Sequence, residues 1–335
     1  MAKFVESPSD PGIPTLAAVL DPAVLARQLS PLSLHEWRWD TSQAIRVRVL
    51  RWKKASRCTF EIALKTPSGW QELIGKVHAE GRSDIFHAMK TIRQAGFDSE
   101  EGFAIPRPVA FLTPLRLLLY EKVPGTRAME FIQNPTGSSD VLAAERCAKW
   151  LARFQAIGPR LGRVYRVDNH LDSLFQWSRS LVDLGSPFAG RATRLFEQLK
   201  AAAQGLGTIE LRPGHGTYTP SQVLLDEGRT VTIDWDTYEV SDPWRDVARF
   251  LVEVKRSALK HLGSIDAYDR ANEAFLQAYV SAARSDLTPR LAFHEAAICL
   301  ERAQHDVEKQ SRDWSQKAEA MLDEGLRILE HEATR

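Results

Sequence analysis

The chain has 335 residues, 44% apolar and 26% charged, which suffices for one large domain or two cores and excludes disorder as the dominant state. Forty-four basic side chains against 43 acidic ones leave a formal charge of +1, so no global field favours nucleic acid or an anionic membrane as a partner. Cys58, Cys147 and Cys299 are widely separated and odd in number, which excludes a disulfide framework and a closely paired zinc site and fits a reducing compartment.

The opening residues Met1 to Pro8 are too polar and too broken by proline for a signal peptide. No stretch reaches the roughly 20 apolar residues that span a bilayer, so a cytoplasmic protein is expected. Residues 1–25 hold four prolines and predict a loose arm or an edge packed against the body. From about Trp37 the pattern turns strand-like: Ile45, Val47 and Val49 alternate with Arg46 and Arg48, and Phe60, Ile62 and Leu64 with Glu61 and Ala63. Lys53-Lys54-Ala55-Ser56 suits the hairpin between them, and Gly69 to Val77 suits the next strand of an antiparallel sheet. Ile85, Phe86, Met89 and Ile92 then predict a helix from Asp84 to Ala95, with Met89 as core and Gly96 as stop. Ile105 to Val109 is extended by its prolines, and Leu115 to Val123 is a further strand ending at Pro124-Gly125, the boundary between a small sheet-rich lobe, 26–123, and a larger helical one, 124–335.

Beyond that boundary the apolar period lengthens to that of a helix. Cys147, Leu151 and Phe154 predict a helix over 139–157, Leu174 to Val182 another, and Val247 to Val254, Leu291 to Leu300 and Leu322 to Leu329 three more, with Trp314 anchoring a late helix. Within the penultimate one, Glu301, Arg302, His305 and Asp306 form a polar cluster, with Arg302 and His305 an i, i+3 pair; a solvated face is expected there rather than a substrate contact. The overall expectation is an α+β fold.

The chemistry concentrates in Pro213-Gly214-His215-Gly216-Thr217-Tyr218-Thr219-Pro220-Ser221-Gln222-Val223-Leu224-Leu225-Asp226, then Val231-Thr232-Ile233-Asp234-Trp235-Asp236, then Ser241-Asp242-Pro243-Trp244-Arg245-Asp246. A loop leads into a strand, a turn at Asp226 to Gly228 reverses the chain, and a second strand delivers Asp234 and Asp236, so loop and strand-end side chains can face one cleft. These segments resemble the signature of the aminoglycoside phosphotransferase and choline kinase group, which has a two-lobed protein-kinase-like fold. The resemblance spans about 38–330, and the specific signal lies in the central motif.

The resemblance implies an ATP- and Mg2+-dependent phosphotransferase acting on a hydroxyl of a small molecule such as a sugar, amino alcohol or aminoglycoside-like compound. It implies that Asp234 is the metal carboxylate, that Gln222 stands where the family usually has a metal-holding asparagine, and that Asp242-Pro243 with Asp246 brace the loop. Glutamine also offers an amide oxygen, and Gln-Val-Leu is similar to the variant in maltokinase-like members. His215 organises the loop. Thr217 occupies the position of the family's catalytic aspartate, and its neutral hydroxyl has a pKa far too high to accept a proton near neutrality. Three consequences stay open: turnover by alignment and charge stabilisation alone, Asp236 orienting the acceptor from the same strand face, or a pseudokinase that binds nucleotide or a metabolite as a regulatory module. A nucleotidylating relative is a further class that no residue specifically favours.

In the small lobe the resemblance implies a lysine on the nucleotide phosphates. Lys76 is preferred over Lys65, and its acidic partner, with Glu80 and Asp84 as the nearby acids, is not evident. No Gly-x-Gly-x-x-Gly or Walker-type glycine pattern appears, so the turn from Lys53 to Arg57, or the segment Asp40 to Gln43, takes the phosphate-covering place. Adenine is expected against Leu119 to Val123, with backbone groups of Glu121 and Val123 offering hydrogen bonds.

Overall fold

The computed structural model describes residues 9–30, 32, 44–99, 102–284 and 289–334; Trp37 and the alternative phosphate-covering segment Asp40 to Gln43 lie outside them. The chain divides into two compact units, Met1–Pro124 and Gly125–Arg335.

The first unit runs α1 (Leu16–Leu20), α2 (Pro22–Leu29), β1 (Ile45–Lys53), β2 (Arg57–Thr66), β3 (Gly69–His78), α3 (Ser83–Gln94), β4 (Gly102–Ala104), β5 (Pro108–Leu112) and β6 (Leu117–Glu121). Five of its strands form one sheet in the order β1-β2-β3-β6-β5, every neighbouring pair antiparallel. Strand alternation sends Phe60, Ile62 and Leu64 of β2 and Leu73 and Val77 of β3 to one face, where they close on Leu16, Val19, Leu25 and Leu29 of the two short helices. Of the two expectations for residues 1–25, a loose arm or an edge packed against the body, the described residues take the second form: Asp21 caps α2 by accepting the Ala23 and Val24 amides, and Pro22 fills its first turn. Helices of 5 and 8 residues are too short for their apolar spacing to register as a period.

Register fixes the orientation of Lys76. It lies opposite Thr59, while Gly75 lies opposite Phe60, so Lys76 leaves the sheet on the face away from the apolar core. Gly75 is required by that packing, because a Cβ there would sit 2.5 Å from the Phe60 ring. Helix α3 turns Ile85, Ala88, Met89 and Ile92 inward and packs on β5 and β6.

The second unit runs β7 (Thr126–Arg127), α4 (Ala128–Gln133), α5 (Ser139–Ile157), β8 (Arg163–Tyr165), α6 (Val167–Val182), α7 (Phe188–Gly205), β9 (Arg212–Gly214), β10 (Val223–Leu225), β11 (Arg229–Thr232), β12 (Glu239–Ser241), α8 (Trp244–Leu262), α9 (Asp269–Ala283), α10 (Pro289–Lys309) and α11 (Trp314–Ala333). Strand β10 pairs antiparallel with both β7 and β11, and β12 pairs parallel with β8 and antiparallel with β9. These two small sheets hold the two ends of the His215 loop, and the helices form the bulk of the unit. Trp314 opens α11 and stacks on Phe188 at 5.7 Å. The fold is thus a small antiparallel sheet lobe and a larger helical lobe of the two-lobed kinase-like kind.

One expectation is overturned in α10. Glu301 and Asp306 are not on a solvated face: Glu301 accepts from Arg249 at 2.9 Å and also meets Arg302, and Asp306, 1% exposed, is clamped by Arg256. Burial opposes ionisation of Glu301, yet Arg249 and Arg302 outweigh it and hold its carboxyl well below the usual range. Polar residues at helical spacing look alike whether they meet water or guanidinium groups of another helix, and only the packing of α10 on α8 distinguishes them. Among the described residues the three cysteines are buried and unbridged, and no helix is long and apolar enough to cross a membrane.

Candidate active site

Strand β9 ends at Gly214 and releases the loop His215 to Gln222, whose backbone amides need acceptors because the loop is buried. Asp246, in the first turn of α8 and 2% exposed, supplies them. Its Oδ2 accepts the amides of His215 at 2.6 Å and Gly216 at 3.3 Å, and its Oδ1 accepts that of Tyr218 at 3.3 Å. Gly216 has φ +81°, and a Cβ there would lie 2.2 Å from the Thr237 carbonyl oxygen, so no other residue fits without moving the loop. The Gly216 carbonyl accepts from Arg245 at 3.2 Å, and Arg245 in turn is paired with buried Glu239. Burial pushes the Glu239 carboxyl upward in pKa, with Arg245 opposing the rise.

His215 is fully buried, and its Nε2 lies 3.0 Å from the Ile233 carbonyl, which fixes the proton on that nitrogen. Burial lowers its pKa, against the pull of Asp246 and Asp234, so the ring stays neutral. It meets the Trp235 ring edge-on at 4.9 Å. An aromatic cluster anchors both halves of the site: Tyr218 donates its hydroxyl to the Cys147 carbonyl at 2.8 Å and stacks on Trp150 at 5.7 Å, while Trp235 packs on Phe154 at 5.1 Å and donates to the Thr232 carbonyl at 3.0 Å.

Strand β11 ends at Thr232, two residues before Asp234. The Ile233 amide donates to the Gln222 carbonyl at 2.9 Å, and Asp234 then adopts a left-handed conformation, φ 70° and ψ 60°, of a kind that costs about 1–3 kcal/mol for a residue other than glycine. Asp236 follows inside a 3-10 turn, Trp235–Thr237, and is 9% exposed. The regular strand that would put Asp234 and Asp236 on one face is therefore absent, and the strand-face reason for pairing them falls.

What does converge is Gln222, Asp234 and Thr217. Gln222 Nε2 lies 3.5 Å from Asp234 Oδ2 and 3.5 Å from Thr217 Oγ1, while its Oε1 accepts from Thr219 at 3.3 Å. Amide orientation is an assignment, and the flipped amide presents its oxygen beside the carboxylate. A carboxylate and an amide oxygen are hard donors of the kind Mg2+ takes in ones and twos alongside phosphate and water, so the residues fit that ion. Among the described residues no cluster of three or more His, Cys, Asp or Glu gathers.

The position expected for a base holds a chain of hydroxyls. Thr237 Oγ1 donates to the His215 carbonyl at 3.2 Å and lies 2.8 Å from Thr217 Oγ1. Since Thr237 has spent its one proton on the carbonyl, Thr217 donates to Thr237, which leaves the Thr217 oxygen as an acceptor. Thr237, Tyr218, Trp235 and the Arg245–Glu239 pair escaped the sequence reasoning. Trp235 adjoins Asp234 and invited notice, whereas nothing in the pattern marks Thr237.

In the small unit Lys76 is 4% exposed, and its rival Lys65 is exposed and lies 5.6 Å from the Trp70 ring centre. Asp84 pairs with Arg82 at 2.9 Å. Glu121, the last residue of β6, donates its amide to the Arg107 carbonyl at 2.9 Å, and Val123 lies just beyond the strand. The β1–β2 turn is pinned from the chain's beginning: Asp10 accepts the Ala55 amide at 2.8 Å and the Trp52 indole at 2.9 Å, and the Ala55 contact leads in holding the Asp10 carboxyl below its usual pKa. An amide of the turn expected to cover phosphates is thus already engaged by a carboxylate.

Residues 63–294 match the model of the phosphotransferase enzyme family. Among solved structures, a choline kinase from Cryptosporidium parvum Iowa II aligns with TM-score 0.64 at 9% identity, over 92% of this chain and 95% of that one. A putative aminoglycoside phosphotransferase from Ralstonia eutropha JMP134 gives 0.61 at 13%, over 92% and 97%. The apo form of a thermostable mutant of aminoglycoside phosphotransferase APH(4)-Ia gives 0.61 at 13%, over 88% and 96%. At these identities the likeness is one of fold. No curated protein matches the sequence significantly.

Proposed function

Because the chain belongs to the phosphotransferase enzyme family, we propose that it moves the terminal phosphoryl group of ATP, with Mg2+, onto a hydroxyl of a small molecule such as a sugar, amino alcohol or aminoglycoside-like compound. The observation that carries this reading is the meeting of the Gln222 amide with the Asp234 carboxylate at 3.5 Å, on a loop whose amides Asp246 holds. Asp234 and Gln222 would hold the magnesium ion, which neutralises phosphate charge when bound. In the small lobe, buried Lys76 would meet the phosphates, and the Glu121 carbonyl with the Val123 amide would meet the base; the Glu121 amide already serves Arg107.

The acceptor oxygen bonds to the γ-phosphorus as the bond from that phosphorus to the bridging oxygen of ADP breaks, and the hydroxyl proton passes to solvent water or to a neighbouring carboxylate. A loose transition state draws that proton off late, so alignment matters more than basicity. The Thr217 oxygen, left as an acceptor by the Thr237 chain, orients the acceptor hydroxyl without retaining its proton. His215 keeps the loop in shape as a neutral ring. Asp236, buried in its turn, is the remaining carboxylate candidate for the proton, and Asp236→Asn tests that role through the pH profile of turnover.

The same neutral hydroxyl pair favours a second reading, a pseudokinase that binds nucleotide or a metabolite and transfers nothing. ADP formation from Mg2+-ATP, screened over hydroxylated metabolites, separates the two. Turnover that Asp234→Ala abolishes supports the enzyme. Nucleotide binding with no ADP above the buffer rate on any acceptor supports the binding module.

A further inference from the structure

A glycine-rich cradle holds phosphate oxygens through free backbone N–H groups. The turn between β1 and β2, Lys53 to Arg57, has no glycine, and two of its amides are spent: that of Ala55 donates to Asp10 at 2.8 Å and that of Ser56 to the Lys53 carbonyl at 3.1 Å. A phosphate chain beside this turn therefore has to be met by side chains.

Strand β1 turns one toward Lys76. Its register on β2 slips between Val49 and Arg51: Val49 lies opposite Phe60 and Arg51 opposite Thr59, so Leu50 is the extra residue of a β-bulge. Residues directly opposite in an antiparallel pair share a face. Regular pairing would set Leu50 against Thr59 and Arg51 against Cys58, which lies in the apolar core. The bulge reverses that parity. Arg51 stands in one row with Thr59 and Lys76 on the face away from the core, and Trp52 takes the place opposite Cys58, where its indole donates to Asp10 at 2.9 Å. Neighbouring strands lie about 4.8 Å apart, which sets the Arg51 and Lys76 backbones about 10 Å from each other, a span across which two long cationic side chains converge on one phosphate chain.

The other arginines of β1 on that face are engaged. Arg48 pairs with Glu61 at 3.1 Å, a carboxylate that also takes Lys122 at 2.6 Å, and Arg46 lies over the Trp70 ring at 4.1 Å. Arg51 is exposed, and among the described residues its guanidinium meets no carboxylate. We infer that Arg51 is a phosphate ligand, its planar guanidinium binding the phosphate chain of the nucleoside triphosphate beside Lys76 in place of a glycine-rich backbone cradle. That the anion belongs to a nucleotide rests on the phosphotransfer reading; a polyphosphate held by Arg51 does not.

Calorimetric titration of the full chain in Mg2+ with ATP, tripolyphosphate and adenosine tests the inference. Arg51→Ala is expected to weaken ATP and tripolyphosphate about tenfold or more and to leave adenosine within about twofold, at an unchanged melting temperature because the side chain is exposed. Arg51→Lys should recover part of the loss. Arg46→Ala removes the same charge from the same face farther along β1, and is expected to leave all three ligands within about twofold. Arg51→Ala binding ATP as well as wild type, or Arg46→Ala weakening it equally, overturns the inference and leaves the phosphotransfer reading standing. A wild-type chain that binds neither ATP nor tripolyphosphate overturns both. Tripolyphosphate binding that Arg51→Ala removes, with no ADP formed on any acceptor, keeps Arg51 as a phosphate ligand and overturns the phosphotransfer reading.

Discussion

The brace and the tip of the His215 loop are built to different standards. At the brace Asp246 takes three loop amides, Arg245 takes the Gly216 carbonyl, and Trp150, Tyr218 and Trp235 fill the space behind. At the tip, a threonine hydroxyl stands where the resemblance implies a carboxylate, and Asp234 sits in a left-handed conformation. The loop is thus held in shape by Asp246 and Arg245, while its tip carries a neutral hydroxyl. Positioning and proton acceptance are separable functions of one loop, and this chain invests in the first.

Breaking the brace should cost most. Asp246→Ala leaves three buried amides without an acceptor, at about 1–3 kcal/mol each before relaxation, and a net loss of about 3–5 kcal/mol is expected in chemical denaturation. A midpoint close to that of the parent protein would mean that the aromatic cluster alone carries the loop. Thr217→Asp sharpens the comparison from the other side. It places a carboxylate beside the Thr237 hydroxyl and the Gln222 amide, and kcat is expected to rise about a hundredfold, read by ADP formation. An unchanged rate would show that the tip never limits turnover.

The smallest effect is on pH. His170 is held well below its ordinary pKa by burial, His215 is lowered by burial, and His305 is lowered to about 4. The unfolded chain takes up protons at these residues near pH 6.5 while the folded one does not, so their contribution is intact above about pH 6.5 and is lost as pH falls toward 4. The melting temperature is expected to decline across that window, less steeply in His305→Gln, and a flat profile would contradict the assigned burial.

The sheet and the major helices of the larger lobe were legible because alternation and helical spacing persist over many residues, as in Phe60 to Leu64 and Cys147 to Phe154. The part of Asp246 in bracing the loop was visible only through the resemblance of Asp242-Pro243 and Asp246 to the family motif. Three features were not. The two short helices α1 and α2 carry too few turns to show a period. The turn of the chain at Asp234 rests on a single left-handed residue, a conformation that is uncommon outside glycine even though Asp adopts it more often than most, so no residue type announces it. The ion pairs of α10 join residues about 50 positions apart, Arg249 with Glu301 and Arg256 with Asp306, and no local pattern announces such pairs.

Magnesium-dependent nucleotide binding tests the central claim most directly, by titration of ATP into the wild-type chain and into Asp234→Asn, with and without Mg2+. Wild type should bind ATP at least about tenfold tighter with the ion, and the variant should lose that increment while keeping its fold. Equal magnesium enhancement in both proteins would contradict the assignment of Asp234 as the carboxylate that holds the ion.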